Sequence, residues 1–230
     1  MEQQNVDTLK QFYGKKIAII SPHNDDEVLG CWHFMELVSG FSELTLIVVT
    51  QHDNDSYLTS KRRQETADAL KPFEIFRIVN LGLPDGELNK AANILKKKLM
   101  EVLIDIDYVL CPAPNDLTPD HIPISRGVLS LIPHSQIIWY RSTWWTFKMR
   151  HADFITTGKI GGKLKAIEKF RTQKHIKLQR SLWLSSLEYL SVKFQPRSAE
   201  AFLFATNDRL APSPFNSISL RYLYRLFYWL

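Results

Sequence analysis

Short apolar runs recur along the first 140 residues, separated by longer stretches whose apolar positions fall at helical spacing. The runs at 17–20, 44–49, 74–79, 108–110 and 136–140 each have the length of a strand, and several are apolar throughout. Continuous apolarity marks strands covered on both faces, whereas half-exposed strands alternate. Between the runs, 27–38, 59–70, 90–104 and 121–131 are helix candidates, and Thr59, Ser60 and Gln64 fit a capping region at the start of the second. Strand–helix alternation at this spacing predicts an α/β fold built on a doubly wound, mainly parallel sheet. Right-handed crossovers then gather every strand's C-terminal end on one edge, where open sheets of this kind bind ligands. Beyond Trp144-Trp145 the pattern changes: 158–190 reads as a helix or helical hairpin and 199–206 as a further strand. The whole, 1–230, is expected to be a single domain with a core at about 15–206 and a C-terminal elaboration.

The residues that follow each strand therefore carry the functional argument. They are Ser21-Pro22-His23-Asn24-Asp25-Asp26-Glu27 after the first, Thr50-Gln51-His52-Asp53 after the second, Leu81-Gly82-Leu83-Pro84-Asp85-Gly86 after the third, and the stretch from Pro112 to His121 after the fourth. Polar, acidic and imidazole side chains converge on one rim. His23 and Asp26, three apart at a tight strand-to-helix turn, can face one point and suit zinc or a similar first-row divalent ion. Asp25 would stand beside such an ion as a general base. The competing explanation is an acidic first turn in which Asp25, Asp26 and Glu27 answer the helix dipole. A catalytic zinc site needs a third protein ligand. His33 lies about one and a half turns into the helix and points away from the rim. His134 precedes the fifth strand, on the opposite edge, and His151 and His175 cannot be placed. His121, after the fourth strand, is the best candidate, because the first and fourth strands are commonly neighbours in the doubly wound order. His52 comes second, as a substrate contact or proton donor.

Composition narrows the classes. Hydrophobic residues at 45% and charged ones at 23% are globular values, and 230 residues suffice for a substantial core. The net charge of +5 is modest. Its basic residues cluster at Lys96, Lys97 and Lys98 and along Lys159, Lys163, Lys165, Lys169, Arg171, Lys174, Lys177 and Arg180, which reads as solvated helix faces or as a surface for an anionic partner. No nucleic-acid module accompanies them, and no G-x-G-x-x-G follows the first strand, so neither nucleic acid nor a dinucleotide is expected. Two cysteines in apolar settings suit a reducing cytoplasm. Neither a signal-like start nor a run of ~20 apolar residues is visible, and a soluble, cytoplasmic protein is expected. The aromatic stretch 218–230 is either a last packed helix or an interfacial segment resting on a membrane surface. Trp139, Trp144 and Trp145 form either a core cluster or a stacking wall for a sugar ring.

The run Pro22-His23-Asn24-Asp25-Asp26-Glu27-Val28-Leu29-Gly30-Cys31 resembles the signature of the LmbE-like or PIG-L-like de-N-acetylases. Further segments are similar to that family's in the same order: Arg62-Arg63-Gln64-Glu65, Leu81 to Gly86, Thr118-Pro119-Asp120-His121, Lys163 to Ala166 with Gln173, and Ala199-Glu200-Ala201-Phe202. The resemblance implies a Rossmann-like fold and zinc-dependent removal of an acetyl group from an N-acetylated sugar. It implies His23, Asp26 and His121 as ligands, Asp25 as base, Asp120 as an orienting catalytic carboxylate, and Arg62 and Asp85 as sugar contacts. Two positions depart from the pattern. Asn24 stands where proline is usual, and Thr118 stands where a histidine would polarise the carbonyl or protonate the leaving amine. A threonine hydroxyl donates a hydrogen bond but is a poor proton shuttle, so either another group such as His52 serves, Asp25 acts as base and then acid, or activity is weak or lost. The alternatives are a non-catalytic sugar- or lipid-binding homologue and a metal-dependent phosphohydrolase.

Overall fold

The structure is a computed structural model that describes residues 8–51, 55–116, 118–142, 146–173, 190 and 198–205. Its elements run β1 (Lys16–Ser21), α1 (Asp26–Val38), β2 (Glu43–Gln51), α2 (Ser56–Leu70), β3 (Ile75–Pro84), α3 (Ala92–Val102), β4 (Tyr108–Pro112), α4 (His121–Leu129), β5 (Ile137–Tyr140), β6 (Phe154–Gly158), α5 (Ile160–Ile167) and β7 (Ser198–Phe204). Among the described residues the strands form one sheet in the order β3-β2-β1-β4-β5-β7-β6. β1 to β5 pair in parallel, and β7 runs antiparallel between β5 and β6. The doubly wound, mainly parallel sheet expected from the alternation is present.

Why the early strands are apolar at every position follows from the pleat. Successive side chains point to opposite faces. On β1, Ile17 and Ile19 enter one core with α1, α2 and α5 (Phe34, Leu70 and Ile167), while Ala18 and Ile20 enter the other with α3 and α4 (Leu99 and Val128). Both faces are covered, so neither set can be polar. The register places Ile17 beside Leu44 of β2 and Tyr108 of β4, which puts β1 in the interior of the sheet. Crossovers to either side of β1 leave its C-terminal end, and the turn after it, at the switch point of the sheet.

Several local expectations change. The second helix starts at Ser56, capped by Asp55, whose carboxylate accepts the Leu58 N–H at 2.8 Å, and not at the Thr59-Ser60 pair. β3 continues to Pro84, through the segment placed after the third strand, and the chain turns at Gly86, at φ +77°. β6 was not anticipated: its sequence, FITTG, buries a polar residue, Thr156, where an apolar one would have marked a strand. Of the expected 158–190 helix, α5 covers Ile160–Ile167 and a 3₁₀ turn covers Arg171–Gln173, while 174–189 lie outside the described residues. Lys163 is not on a solvated face; it is 2% exposed and ion-paired to Glu200. Trp139 lies in the core. Trp144, Trp145 and 218–230 lie outside the described residues. Both cysteines are free and buried. No helix among the described residues is long and apolar enough to cross a membrane.

α1 meets the sheet at Gly30. A Cβ there would fall 2.4 Å from Cδ2 of Tyr140, whose ring is held by a hydrogen bond from its hydroxyl to the Ile20 carbonyl at 2.8 Å. Gly30→Ala is therefore expected to destabilise the fold by about 1–3 kcal/mol, the usual range for overpacking. Urea denaturation reads this directly, and an unchanged midpoint would mean that the Tyr140 ring moves aside freely.

Candidate metal centre and active site

The turn between β1 and α1 is tied in three places. The Ser21 hydroxyl accepts the Glu27 N–H at 3.1 Å and donates to the Glu27 carboxyl at 2.6 Å. The Thr50 N–H and hydroxyl, at the end of β2, both donate to the Pro22 carbonyl, at 3.0 and 2.8 Å. The His23 N–H donates to Asp26 Oδ2 at 3.1 Å, so backbone and side chain of the two ends of the turn face the same point. Asp25 caps nothing with its side chain, which counts against a purely electrostatic role for the acidic turn.

His121 is the first residue of α4, at the end of the loop that leaves β4. Because β1 and β4 are adjacent, the two imidazoles meet: their centroids are 5.5 Å apart, with planes inclined at 38°. Asp26 Oδ2 lies 3.1 Å from His23 Nδ1 and 3.4 Å from His121 Nε2. One donor atom from each of the three residues falls within 4.8 Å of the others, a spacing that can hold a metal ion.

The outer nitrogens are held by carboxylates. His121 Nδ1 faces Asp116 Oδ2 at 2.9 Å, and Asp116 also accepts from the Ser142 hydroxyl at 3.1 Å and the Thr118 N–H at 2.9 Å. His23 Nε2 faces Asp120 Oδ2 at 3.3 Å, and Asp120 accepts from the Gly86 and Leu88 amides at 2.6 and 3.2 Å. A proton on each outer nitrogen leaves the inner lone pair free for a cation, the arrangement common to histidine metal ligands. His23, Asp85 and Asp120 also approach within 4.8 Å of one another. There, however, the Arg62 guanidinium already lies 3.5 Å from Asp85, and two amides occupy Asp120. The His23–Asp26–His121 group fits a cation better.

Burial and neighbouring charge shape the protonation. Burial, aided by the charge of Asp26, pushes the Asp25 carboxyl up to about 7. Burial opposes the charged form of Asp26 as well, but the charge and hydrogen bond of His121 overcome it and hold that carboxylate well below its ordinary range. Burial would lower His121, yet the carboxylates of Asp116 and Asp26 push it up to about 10. Burial likewise opposes a charged His23, and its hydrogen bonds to Asp120, Asp26 and Asp85 raise it. Glu27, deeply buried, is pushed up to about 8. Among the described residues Asp25 Oδ2 is buried with no hydrogen-bond partner, and the buried Thr118 side chain helps to hold the Asp116 carboxyl below its ordinary range. An unsatisfied buried carboxylate oxygen is costly, and beside a donor set of this kind it is a sign of chemistry.

His23, Asp25, Asp26, Arg62, Asp85, Asp120 and His121 are thus brought into one neighbourhood. His52 lies outside the described residues, as does His175. His33 is buried along α1, with Nδ1 2.6 Å from Glu36. His134 sits in the 3₁₀ turn before β5, and His151 in another before β6. Sequence reasoning missed Asp116 and Ser142. A carboxylate five residues before a candidate ligand, on the same rim loop, was the available signal for Asp116; Ser142 carried none.

The sequence model of the PIG-L family, described as GlcNAc-PI de-N-acetylase, matches residues 18–132, half of the 230-residue chain. The chain belongs to this family. It is accordingly a hydrolase of the deacetylase type. Solved structures share the fold of this PIG-L-family chain. The N,N'-diacetylchitobiose deacetylase from Pyrococcus horikoshii has a TM-score of 0.65 at 19% identity, over 89% of this chain and 91% of that one. A conserved protein from Thermus thermophilus has a TM-score of 0.62 at 20% identity, over 82% and 94%. The 4-carboxy-2-hydroxymuconate hydratase from Pseudomonas putida has a TM-score of 0.60 at 13% identity, over 82% and 95%. No curated protein sequence matches the chain.

The electrostatics predict how a cation would bind. In the metal-free protein at pH 7 His121 is the doubly protonated imidazolium, pushed up to about 10, and Asp25 is raised to about 7. Ligation requires neutral imidazoles, so loading with zinc should release protons, and affinity should rise with pH. Calorimetry in buffers of different ionisation enthalpy measures the release; no buffer dependence would contradict it. For stability the sign is as follows. His121 is raised above its unfolded value, so its contribution is complete below about pH 6.5 and is lost as pH rises through about 10. The metal-free protein should therefore lose stability over that interval.

Proposed function

We propose that the protein removes the acetyl group from an N-acetylated sugar of the N-acetylglucosamine type, on a glycan or glycoconjugate, by metal-dependent hydrolysis to acetate and a free amine. Support comes chiefly from one observation: a buried carboxylate, Asp25, with an unpartnered oxygen and a value of about 7, stands beside an imidazole–carboxylate–imidazole group. His23, Asp26 and His121 would hold the ion, zinc or another first-row divalent cation, because two imidazole nitrogens and a carboxylate oxygen are the donors such ions take. When bound, it would polarise the acetamide carbonyl and lower the pKa of water toward ~7.

The remaining steps belong to the chain's own side chains. Asp25 takes a proton from the attacking water as the new C–O bond forms at the carbonyl carbon. The buried Thr118 hydroxyl donates to the developing oxyanion. As the C–N bond breaks, the proton on Asp25 passes to the leaving nitrogen. A group with a value near neutrality can work in both directions, which answers the absence of a histidine at position 118. Asp120 holds the His23 ring, and Asp116 holds that of His121. Arg62 and Asp85, 3.5 Å apart beside His23, present a donor and an acceptor for sugar hydroxyls. His52 is proposed as a further substrate contact. A peripheral membrane contact through 218–230 would suit a lipid-linked substrate.

Purified protein loaded with zinc and offered acetamido sugars should release acetate and amine in equal amounts. Release of inorganic phosphate from phosphate esters instead would favour the phosphohydrolase, and metal binding without hydrolysis the non-catalytic homologue. Asp25→Asn should retain its metal and lower kcat by ~10²–10⁴-fold, the share of acid–base catalysis. Full turnover by this variant would refute the role given to Asp25.

A further inference from the structure

The sequence match to the family ends at residue 132, yet the turn that carries His23, Asp25 and Asp26 is gripped from beyond it. The grip has two points. At the first, inside α1, the Leu29 carbonyl accepts from Lys163 Nζ at 2.7 Å. The His33 amide donates to both oxygens of Glu200, at 3.0 and 2.9 Å, and the Phe34 amide to one of them at 3.2 Å. In a regular α-helix the His33 amide closes onto the Leu29 carbonyl. Here each has a charged partner, and the two partners are joined: Lys163 Nζ lies 2.6 Å from Glu200 Oε1. The Thr156 hydroxyl adds a bond to Glu200 at 3.2 Å. At the second point, Gln173 Nε2 donates to the Asn24 carbonyl at 2.6 Å, between His23 and Asp25. Asn24 in turn donates through Nδ2 to Thr66 at 2.9 Å.

Stability alone is a poor reason for such a pair. Lys163 and Glu200 are each 2% exposed, and a buried ion pair usually contributes no more than well-packed apolar residues of similar volume. A side chain inserted into a helical ladder does, however, set the direction of the turns on either side. The turn N-terminal to this insertion begins at Asp26, whose carboxylate must reach two imidazoles on different elements. We propose that the Lys163–Glu200 pair and Gln173 are positioning residues that aim the first turn of α1, so that Asp26 bridges His23 and His121 and Asp25 stays beside them. This rests on the metal-dependent reading above and assigns no contact with substrate to any of the three.

Lys163→Met combined with Glu200→Leu removes both charges and leaves the His33 amide and Leu29 carbonyl to bond each other. This double variant should fold with a melting temperature near that of the wild type. Its zinc affinity should fall ~10–100-fold, as it does when supports behind a ligand are removed, and kcat should fall more than KM rises. Gln173→Leu should weaken zinc by about tenfold at unchanged metal-free stability. In the metal-free protein both variants should shift the imidazole NMR signals of His23 and His121. Wild-type zinc affinity, turnover and imidazole signals in the folded variants would overturn the proposal. If the double variant fails to fold, Thr156→Val, which removes one bond to Glu200 at near-constant volume, takes its place beside Gln173→Leu under the same criteria. A wild-type protein that binds no divalent ion would instead defeat the proposed function, while the imidazole signals of the metal-free variants would still show whether the turn had been displaced.

Discussion

Asp26 Oδ2 lies between two imidazole nitrogens, 3.1 and 3.4 Å away, and the rest of the site is arranged to make that position tenable. A carboxylate taken out of water must be compensated by partners, or it takes up a proton. Here compensation is layered. Two imidazoles face Asp26, further carboxylates stand behind the imidazoles, and behind these come the Gly86, Leu88 and Thr118 amides and the Ser142 hydroxyl. Charge alternates in sign from layer to layer and ends on neutral donors. Such an arrangement holds its side chains in place before any ligand arrives, which is what a metal or a transition state requires.

Asp25 is compensated less fully: the charges of His23, Arg62 and His121 favour its ionised form but do not outweigh burial. It shares the burial of its neighbours, yet one of its oxygens has no partner among the described residues and the nearby Asp26 charge opposes its ionisation. Two adjacent carboxylates in one turn are thereby driven apart: one is held ionised, and the other is poised near neutrality. Pairs of titratable groups whose surroundings separate them in this way are the usual basis of divided acid–base roles. The division comes from position alone, since the two side chains are chemically identical.

The fold does not by itself dictate the chemistry. Its structural neighbours include a diacetylchitobiose deacetylase and a carboxy-hydroxymuconate hydratase, at similar TM-scores of 0.65 and 0.60. A parallel sheet offers one edge where the loops from every strand converge, and the loops decide what happens there. In this chain that edge collects two histidines, five neighbouring aspartates and an arginine, within segments that lie inside the 18–132 family match.

Much of this was legible before any coordinates. The fully apolar runs announce strands buried on both faces, because a pleated strand sends alternate side chains to opposite layers. Parallel strands need crossovers of one hand, so the polar residues after each run had to share a rim, and His23, Asp26 and His121 could be nominated from position and residue type. What remained hidden depends on contacts between residues far apart in the chain. β6 was obscured because its buried Thr156 is polar, and its hydroxyl finds its partner in Glu200, 44 residues later. Lys163 looked like a solvated cation for the same reason: its partner lies 37 residues on, and a lysine reads as exposed until its counter-charge is placed. Ser142 reaches Asp116 only because β5 pairs with β4. The sequence alone therefore determined the parallel part of the sheet, its rim and the candidate donors for a cation, since these follow from local periodicity and handedness. The tertiary structure alone decided which carboxylates stand behind the imidazoles and what holds the first helical turn, since desolvation and pairing are properties of a neighbourhood that no local stretch of chain specifies.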